Sequence, residues 1–404
     1  MDIPPSSPRR PATALALAAL LALACTAAAP SGLARATPPL AASPHTVKVA
    51  DTGRPGLDPG QSPAPGTPTA TPAVTPAGDL QGGPGASPQE TPAGRKPYTI
   101  SFGGDVHFEG VLRERLKRKP RTALGPIASV LRRADIAMVN LETAITKRGT
   151  PAPGKKYTFR APPSALTALR AAGVDVASMA NNHGMDYMQS GLKDSLAAIR
   201  KARFPVVGVG KNADAAYKPY REVVNGNRVS IIGATQVLDT EFIQAWSATD
   251  RRAGLASAKN EKRLLSAVRA ARKDSDTVIV YLHWGTELRR CPNAAQRSLA
   301  PKLIAAGADV IVGGHAHVLL GSGYLKSGYV NYGLGNFAFY SWGPDTGETG
   351  VLTLTIEGRK VLADRWTPAR IGGGVPIPLA GAARTRAVDK WRSLRSCTGL
   401  ASRP

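Results

Sequence analysis

Five short segments of this chain contain residues whose side chains bind metal ions, and five of its six histidines lie in them. The segments are residues 104–107, 140–142, 181–183, 283–285 and 313–317. Each follows an apolar stretch that is typical of a buried β-strand. Carboxylate, amide and imidazole groups gathered from five strand ends are the ligands that a hydrolytic centre with two metal ions requires. The sixth histidine, His45, lies outside these segments.

Two of the segments have a spacing that favours metal binding. Asp105 and His107 form an Asp-x-His pair, which projects a carboxylate and an imidazole to the same side once the chain leaves a sheet. His315 and His317 follow Gly314, whose missing side chain allows a sharp turn. A single buried histidine is more commonly a core residue, but a pair with this spacing after an apolar strand favours a metal. We predict that both pairs are metal ligands. Asp105 and His107 would hold one metal, and His315 and His317 would reach either the same ion or adjacent ions.

The remaining segments supply further ligands and a candidate acid. Glu142 follows an apolar strand, where an unpaired carboxylate is costly, so we predict that it bridges two cations. Asn182 offers a neutral oxygen ligand and His283 a nitrogen ligand. His183 is better placed as a general acid that protonates a leaving group, with Asp186 orienting its ring. Two cations about 3.5–4 Å apart would lower the pKa of bound water and stabilise charge on the reacting oxygens.

Strands and helices that alternate along the chain must position these segments. Strands are predicted at residues 98–103, 136–139, 174–179, 205–209, 229–234, 277–282, 310–312, 328–331 and 351–356. Helices are predicted at residues 164–172, 191–202, 261–273 and 300–306, the first with a cap at Ser164, and helical spacing at 112–131 is interrupted by prolines. This alternation predicts an α/β fold with a buried, largely parallel sheet, and ligands collect beyond the carboxyl ends of such strands.

Composition divides the chain into a non-globular part and a folded part. Residues 37–95 are rich in proline, alanine and threonine and contain almost no large apolar side chains, so we predict a disordered linker. Residues 96–370 are long enough to form one large α/β domain. Residues 371–404 are predicted to form a C-terminal tail.

Residues 1–36 are typical of an export signal. Arg9 and Arg10 precede an apolar run at residues 12–24, and small residues follow it. The residues before Cys25 are similar to a lipoprotein cleavage box, which would make Cys25 a lipidated N-terminus. Cleavage at a nearby position is a second interpretation of this segment, and an uncleaved membrane anchor is a third. We therefore predict an exported protein that is extracellular or attached to the cell surface, with membrane contact only through the N-terminus.

Cys291 and Cys397 are the only cysteines beyond residue 25. In an exported protein, an even number of cysteines favours a disulfide over free thiols. This disulfide would hold the C-terminal tail beside the loop that follows His283. Two unrelated buried thiols are the alternative.

The folded part of the chain is strongly basic. Residues 1–95 carry 6 of the 52 Lys and Arg residues and 5 of the 28 Asp and Glu residues, which leaves 46 and 23, a net charge of +23, for residues 96–404. Such a domain attracts polyanions and anionic substrates. Nucleic acid is not an expected partner, because no nucleic-acid-binding module is visible and only 5% of residues are aromatic. A basic composition that only reflects coding bias is the alternative.

In their order along the chain, the five segments resemble the calcineurin-like metallophosphoesterases. More closely, residues 98–366 resemble the CapA family of bacterial poly-γ-glutamate capsule synthesis proteins. The motifs that carry this resemblance are Asn-Leu-Glu at 140–142, Asn-Asn-His at 181–183 with Asp186, His-Trp-Gly at 283–285 with Glu287, and Tyr-Gly-Leu-Gly-Asn-Phe at 332–337. The resemblance implies a metallophosphatase-like four-layer α-β-β-α sandwich with the metal site at the carboxyl ends of strands.

The resemblance also implies a ligand set for two divalent metal ions, for which manganese, iron and zinc are candidates. The residues that match the ligands of one ion are Asp105, His107 and His317. The residues that match the ligands of the other ion are Asn182, His283 and His315. Glu142 would bridge the two ions, although the wider superfamily usually has aspartate in this role. Gly184 also departs from the superfamily, because an acidic residue normally follows the Asn-His pair.

Two residues outside the ligand set are predicted to contact the substrate. Arg160 follows a predicted strand at residues 157–159, which the resemblance places near the site, so its guanidinium is positioned to bind phosphate or carboxylate. A solvated basic face that Arg160 shares with Lys155 and Lys156 is the alternative. Asn336 is predicted either to bind substrate or to have a structural role.

Three functions are consistent with these features. The first is an exported CapA-like protein that acts on an anionic polymer such as poly-γ-glutamate in its synthesis, export or anchoring, alone or with other capsule-synthesis proteins. The second is a secreted metal-dependent phosphoesterase that acts on phosphate monoesters or diesters. The third is a non-catalytic scaffold that binds polyanions. The ligand set favours a metal-dependent hydrolase over the scaffold.

Overall fold

The computed structural model describes residues 94–341 and 343–404. The predicted export signal, Cys25 and all but the last two residues of the predicted linker lie outside this part of the chain. Among the residues that it does describe, no helix combines the length and the apolar composition needed to cross a membrane.

Strands and helices alternate along the first three quarters of the described chain, and strands dominate its last quarter. Strands β1 to β18 span, in chain order, Tyr98–Val106, Ile136–Leu141, Ala144–Ile145, Arg160–Ala161, Val176–Ser178, Val206–Val207, Val209–Gly210, Tyr220–Val224, Asn227–Thr235, Gly254–Leu255, Thr277–Trp284, Val310–His315, Ser322–Leu325, Gly328–Asn331, Asn336–Ala338, Glu348–Glu357, Lys360–Gly372 and Val375–Pro378. Helices α1 to α9 span Val111–Arg118, Ala128–Leu131, Ser164–Ala171, Met188–Ala202, Ala213–Ala216, Ile243–Trp246, Glu261–Lys273, Ala294–Ala305 and Gly381–Ser393.

Most strands belong to two mixed sheets. The first sheet has the order β18-β17-β16-β1-β2-β5-β6, and β15 also pairs with β1. Its strands β1, β2, β5 and β6 are parallel, whereas β16, β17 and β18 are antiparallel. The second sheet has the order β13-β14-β12-β11-β9-β8, with four parallel strands between antiparallel edge strands.

The predicted parallel arrangement is therefore confirmed for β1, β2, β5 and β6 of the first sheet and for the four central strands of the second. It is wrong for β16, β17 and β18 and for the two edge strands of the second sheet. Strands β16, β17 and β18 follow one another through two-residue turns at residues 358–359 and 373–374. Gly358 and Gly373 both have a φ of 57° in these turns, as tight hairpins require. Such connections are too short for the crossover that joins parallel strands.

Three layers of buried apolar side chains separate four layers of secondary structure. Successive strand residues face opposite sides of a sheet. Met138 of β2 and Ile279 of β11 accordingly pack between the two sheets. Their neighbours Val139 and Val280 face outwards, Val139 towards helices α1 to α4 and Val280 towards helices α7 and α8. Each such side chain stabilises the fold by about 1.5–3 kcal/mol. The predicted α-β-β-α sandwich is confirmed by this packing.

The predicted strand at residues 157–159 is wrong. The backbone N–H of Phe159 donates a hydrogen bond to Asp186 Oδ2 at 2.6 Å. The strand β4 begins only at Arg160, where it pairs in parallel with β3. A side-chain carboxylate thus takes the place of a neighbouring strand, and the periodicity of the sequence does not reveal such a partner.

Two further local predictions are also wrong. Ser164 does not cap its helix, because Pro163 before it already has the helical backbone angles φ −55° and ψ −20°. The predicted strand at residues 205–209 is divided at Gly208, which has a φ of 85°. The two halves, β6 and β7, consequently belong to different sheets.

The residues predicted as a C-terminal tail, 371–404, contain the end of β17, strand β18 and helix α9. Trp391 of α9 stacks on Trp366 of β17, with ring centroids 5.4 Å apart. Cys291 and Cys397 form a disulfide with Cα atoms 5.7 Å apart. This bond joins the C-terminal segment to the loop between β11 and α8.

Candidate metal centre

The predicted ligands lie where the carboxyl ends of parallel strands from both sheets meet. Asp105, near the end of β1, is paired with Asn140 of β2. His283 of β11 is paired with Gly314 of β12. The backbone N–H of His315 donates a hydrogen bond to Asp105 Oδ2 at 3.0 Å and so connects the second sheet to the first. The site therefore depends on both sheets.

Asp105, Glu142 and His283 form a first ligand group, in which one potential ligand atom of each residue lies within 4.8 Å of the others. All three side chains are completely buried. Neither carboxylate oxygen of Glu142 has a hydrogen-bond partner among the described residues. The Nε2 atoms of His183 and His283 lie 3.7 Å and 3.8 Å from Glu142 Oε1. Because a buried carboxylate without a partner is unfavourable, this donor set fits a divalent cation.

Burial shifts the pKa values in this group towards the neutral forms. Desolvation raises the pKa of Asp105 to about 7, although hydrogen bonds from Asn140 and His315 lower it. Desolvation also raises the pKa of Glu142 well above its usual range, and repulsion by Asp105 adds to the shift. Desolvation and repulsion by His315 lower the pKa of His283 well below its usual value. The imidazole is thus in its metal-binding form, and a nearby cation would favour ionisation of both carboxyl groups.

Amide side chains hold the first ligand group in place. Asn140 Nδ2 donates a hydrogen bond to Asp105 Oδ1 at 2.8 Å and lies 3.1 Å from His283 Nδ1. Asn181 Nδ2 donates in turn to Asn140 Oδ1 at 3.0 Å. Asn182 Oδ1 lies 2.8 Å from His283 Nε2. The structure therefore brings the predicted ligand Asn182 to this group.

Glu287, His315 and His317 form a second ligand group, whose potential ligand atoms also lie within 4.8 Å of one another. Both histidines are buried, whereas Glu287 is exposed. His315 Nδ1 has no hydrogen-bond partner within the described chain. His317 Nδ1 lies 2.8 Å from Asn336 Oδ1. Desolvation lowers the pKa of His317 to about 4, against an opposing effect of this hydrogen bond, so its ring is neutral at physiological pH.

His107 lies beside the centre but outside both ligand groups. Its Nδ1 atom accepts a hydrogen bond from the backbone N–H of Glu109 at 2.9 Å. A neutral imidazole accepts at only one nitrogen, so the backbone N–H of Tyr340, 3.4 Å from Nε2, is a contact and not a second hydrogen bond. Its ring stacks on Phe159 at a centroid distance of 4.8 Å and meets the edge of Phe339 at 4.0 Å. The structure thus places this predicted ligand in an aromatic layer.

His183 is held by a series of buried ionisable groups. Its Nδ1 atom lies 2.5 Å from Asp186 Oδ2, and Asp186 Oδ1 accepts a hydrogen bond from Lys155 Nζ at 2.5 Å. Asp186 is fully buried and the Lys155 side chain is only 7% exposed. Desolvation lowers the pKa of His183, whereas the charge of Asp186 raises it. The structure therefore brings His183 and Asp186 together, with His183 Nε2 directed towards Glu142.

Arg160 and Asn336, the residues predicted to contact substrate, lie in different surroundings. Arg160 is partly exposed, and its guanidinium lies 4.7 Å from the ring centroid of Tyr187. Asn336 is completely buried. Its Oδ1 atom contacts His317, and its Nδ2 atom donates to the carbonyl oxygen of Thr346 at 3.1 Å. Asn336 therefore has no exposed surface for a substrate, and in this position it orients His317.

Four residues of the site were not among the predicted site residues. Asn140 and Asn181 lie within the segments that suggested the site, and Glu287 lies within one of the family motifs. Period-two alternation was the available signal for Asn140, because it places Asn140 and Glu142 on the same side of a strand. Lys155 had no comparable signal, since its contact with Asp186 depends on the folded loop.

Gly184, where the superfamily normally has an acidic residue, is closely surrounded. A Cβ atom at this position would lie 2.5 Å from the carbonyl oxygen of Met179 and 3.0 Å from Leu255 Cδ2. Any side chain here would require a shift of the backbone. The close packing around Gly184 therefore leaves no space for the acidic side chain that the superfamily normally has at this position.

A cavity of about 650 Å³ opens beside the second ligand group. Glu287 and His317 line it, together with Tyr157, Leu288 and Asp345. Tyr157 and Leu288 are 53% and 61% exposed, so the cavity entrance presents apolar as well as charged surface. Its volume is within the range of small-molecule sites, which allows a substrate segment to reach the ligand groups.

Residues 99–341 match the family described as bacterial capsule synthesis protein PGA_cap. The match covers more than half of the chain and includes every predicted metal ligand. The chain belongs to this family. The resemblance that the sequence motifs indicated is thereby confirmed.

Two curated relatives are similar to this member of the PGA_cap family. The capsule biosynthesis protein CapA of Bacillus anthracis is 30% identical over 278 residues, which span 67% of this chain and 66% of that protein. The PGA biosynthesis protein CapA of Bacillus subtilis (strain 168) is 28% identical over 284 residues, which span 70% and 73%. A solved phosphatase from Mycoplasma pneumoniae is 14% identical, with a TM-score of 0.44, over 72% of this chain and 97% of that chain.

Proposed function

We propose that this protein acts at the bacterial cell surface in the synthesis, export or anchoring of an anionic capsular polymer such as poly-γ-glutamate. The candidate metal centre would be its working site, with two divalent cations drawn from manganese, iron and zinc. Membership of the family and the names of the two Bacillus relatives support the choice of polymer. Reaction at a bond of this polymer would make the protein a metal-dependent hydrolase or transferase.

The arrangement of His183 is the observation that carries the catalytic part of this proposal. Asp186 lies 2.5 Å from Nδ1, while Nε2 is 3.7 Å from Glu142 in the first ligand group. A histidine that is oriented at one nitrogen and faces a metal centre with the other can deliver a proton to a leaving group. Desolvation lowers the pKa of His183, and the charge of Asp186 opposes this shift in favour of the protonated ring that the step needs. Lys155 in turn keeps Asp186 in its position.

Bound divalent cations would lower the pKa of a water molecule and stabilise negative charge on the reacting oxygens. The residues of the chain would position the reacting groups. Asn140 holds Asp105 and His283 in register across the two sheets. Asn336 orients His317 in the second ligand group. Such supporting hydrogen bonds typically change metal affinity or activity by about 10–100-fold when they are removed.

Properties of the whole chain support the proposed partner and location. A net charge of +23 in residues 96–404 favours a polycarboxylate partner over a neutral one. The disulfide between Cys291 and Cys397 supports an oxidising compartment, since disulfides rarely persist in the cytosol. Export by the N-terminal segment, with lipid attachment at Cys25 as one route to the surface, is part of the proposal.

The test compares the full-length protein with His183→Ala. Metal content is measured by mass spectrometry, and turnover is measured on poly-γ-glutamate and on an aryl phosphodiester. We expect His183→Ala to retain its metal and to lose at least about 100-fold in turnover, the usual contribution of a general acid. Lys156→Ala, which changes an exposed neighbour of the site, is the control and should remain active. Full turnover by the His183→Ala protein would exclude His183 as the acid.

A phosphoesterase is the second candidate function, because mixed oxygen and nitrogen ligands beside a general acid also suit phosphate esters. The same two substrates separate the candidates. Turnover of the phosphodiester without any cleavage or transfer of poly-γ-glutamate would favour the phosphoesterase. Metal binding without turnover of either substrate would favour a polymer-binding scaffold.

A further inference from the structure

The loop after β11 and the turn after β12 are connected by a backbone hydrogen bond. The N–H of Leu288 donates to the carbonyl oxygen of Ala316 at 2.8 Å. Ala316 lies between the two histidines of the second ligand group, and Glu287 directly precedes Leu288. This bond therefore fixes the backbone of Glu287 beside His315 and His317.

The side chains of this second group have the properties of ligands for one cation. His315 is 5% exposed, and its Nδ1 atom has no hydrogen-bond partner in the described part of the chain. The Nδ1–H of His317 donates to Asn336 Oδ1, which orients its ring. Among the described residues, Glu287 forms no ion pair with a lysine or arginine. A carboxylate and two imidazoles thus converge without a cationic side chain between them.

His107 is the contrasting case. Its Nδ1 atom accepts a hydrogen bond from the backbone N–H of Glu109 at 2.9 Å, and the backbone N–H of Tyr340 faces its Nε2 atom at 3.4 Å. Its ring is also packed against Phe159 and Phe339. Binding a metal through either nitrogen of His107 would require the backbone N–H group that faces this nitrogen to move, whereas Glu287 is already within reach of two ligand nitrogens.

We propose that Glu287 is a metal ligand and completes a site with His315 and His317 on the side of the centre that faces the cavity. In this site the two histidines share one ion, whereas the family resemblance implied that they bind different ions. This inference rests on the metal centre of the proposed function. Three protein ligands are typical of catalytic metal sites, which keep a further position for water or substrate. Glu287 and His317 both line the cavity of about 650 Å³, so a polymer or ester segment bound there would meet this ion first.

Metal binding by the full-length protein tests the role of Glu287 directly. Equilibrium dialysis against Mn²⁺ gives stoichiometry and affinity, and visible absorption of the Co²⁺-loaded protein reports the ligand set. Glu287→Gln is expected to lose one ion or weaken its binding at least about tenfold, with a changed Co²⁺ spectrum. Asp345→Asn is the matched control, because Asp345 lines the same cavity but belongs to neither ligand group. The Asp345→Asn protein should bind two ions with the same affinity as the unmodified protein.

The outcomes separate this inference from the proposed function. If the unmodified protein binds no Mn²⁺ or Co²⁺, the metal centre itself is wrong, and Glu287 has no ion to bind. If it binds metal and Glu287→Gln behaves like Asp345→Asn, only the role of Glu287 is overturned. His107→Ala is expected to keep the full stoichiometry. Loss of an ion in His107→Ala together with retention in Glu287→Gln would replace Glu287 by His107 as the third ligand.

Discussion

At the residue scale, Glu142 links folding to cation binding, because neither of its carboxylate oxygens has a hydrogen-bond partner in the described ranges 94–341 and 343–404. The side chain is completely buried, and desolvation raises its pKa well above the usual range. A cation that binds the ionised carboxylate would interact with the folded chain and not with the unfolded one. Such a ligand stabilises the fold by about 2.7 kcal/mol at a concentration 100 times its dissociation constant. Metal-dependent stability is therefore expected.

Glu142→Gln should reduce this metal-dependent stability. The unmodified protein is expected to melt at a higher temperature in saturating Mn²⁺ than in a chelator, as followed by scanning calorimetry. The variant should show a smaller difference between the two conditions, because a neutral amide is a weak ligand and only the second ligand group keeps all its side chains. Without metal it should be at least as stable as the unmodified protein, since a neutral amide replaces a carboxyl group whose charge is costly to bury.

Glu241→Gln is the control for this substitution, because Glu241 is exposed and lies outside both ligand groups. It should respond to Mn²⁺ as the unmodified protein does. An equal increase in melting temperature for Glu142→Gln would show that the ion does not depend on this carboxylate.

At the element scale, the centre depends on the close approach of β1 and β12. A Cβ atom at Gly314 would lie 2.5 Å from Asp105 Oδ1, a distance shorter than atoms tolerate. The absence of a side chain lets the Asp105 carboxylate reach the backbone N–H of His315 at 3.0 Å. The glycine before the histidine pair thus sets the distance between the two sheets at the site.

Gly314→Ala should weaken metal binding without unfolding the protein. The added methyl group displaces the Asp105 carboxylate from the first ligand group, so we expect affinity for Mn²⁺ to fall at least about tenfold in titration calorimetry. Gly343→Ala is the control, because a Cβ atom there would have nothing within 4 Å. Unchanged affinity in Gly314→Ala would mean that Asp105 is not a ligand or can move without loss.

The sequence predicted those elements whose signals are local. Helix α7 and strand β14 have the predicted bounds. Asn260 caps the start of α7, and β14 is a short run between polar or glycine residues. Helix α8 begins at Ala294, six residues before its predicted start, although Asn293 and Gln296 form a capping box there. Pro301 lies inside this helix and obscures its pattern. Strands β17 and β18 were not predicted. Their strand conformation depends on antiparallel pairing through hairpins, which the composition of the two segments does not indicate.

For the candidate site, the sequence predicted which segments would meet but not every contact. Parallel strands bring their carboxyl ends to one edge, so the segments of Asp105, Glu142 and His283 were expected to converge. Which atoms face each other depends on register and on side-chain rotamers. Lys155 and Glu287 reach the site from loops whose paths are fixed only by tertiary hydrogen bonds. Such contacts are outside what periodicity can predict.

At the scale of the whole molecule, the disulfide connects residues 106 positions apart. Closing a long loop in the unfolded chain reduces its entropy, which stabilises the folded state by about 2–4 kcal/mol in typical cases. We expect Cys291→Ser/Cys397→Ser to lose about this much stability in urea unfolding. A reducing agent should destabilise the unmodified protein to the same level and leave the double variant unchanged. Equal stability of the oxidised protein and the variant would exclude a structural role for the bond.

The basic charge of residues 96–404 would attract the proposed polymer. With a net charge of +23 in residues 96–404, attraction to poly-γ-glutamate acts over a distance that salt shortens, from about 10 Å at 0.1 M to about 3 Å at 1 M. We therefore expect affinity for the polymer, measured by titration calorimetry, to fall steeply, at least about tenfold, over this range of salt. Glu142→Gln, which keeps the basic surface but lacks the buried carboxylate, should show the same salt dependence. Since surface attraction and metal coordination are separate contributions, affinity that is insensitive to salt in both proteins would mean that the basic surface does not bind the polymer.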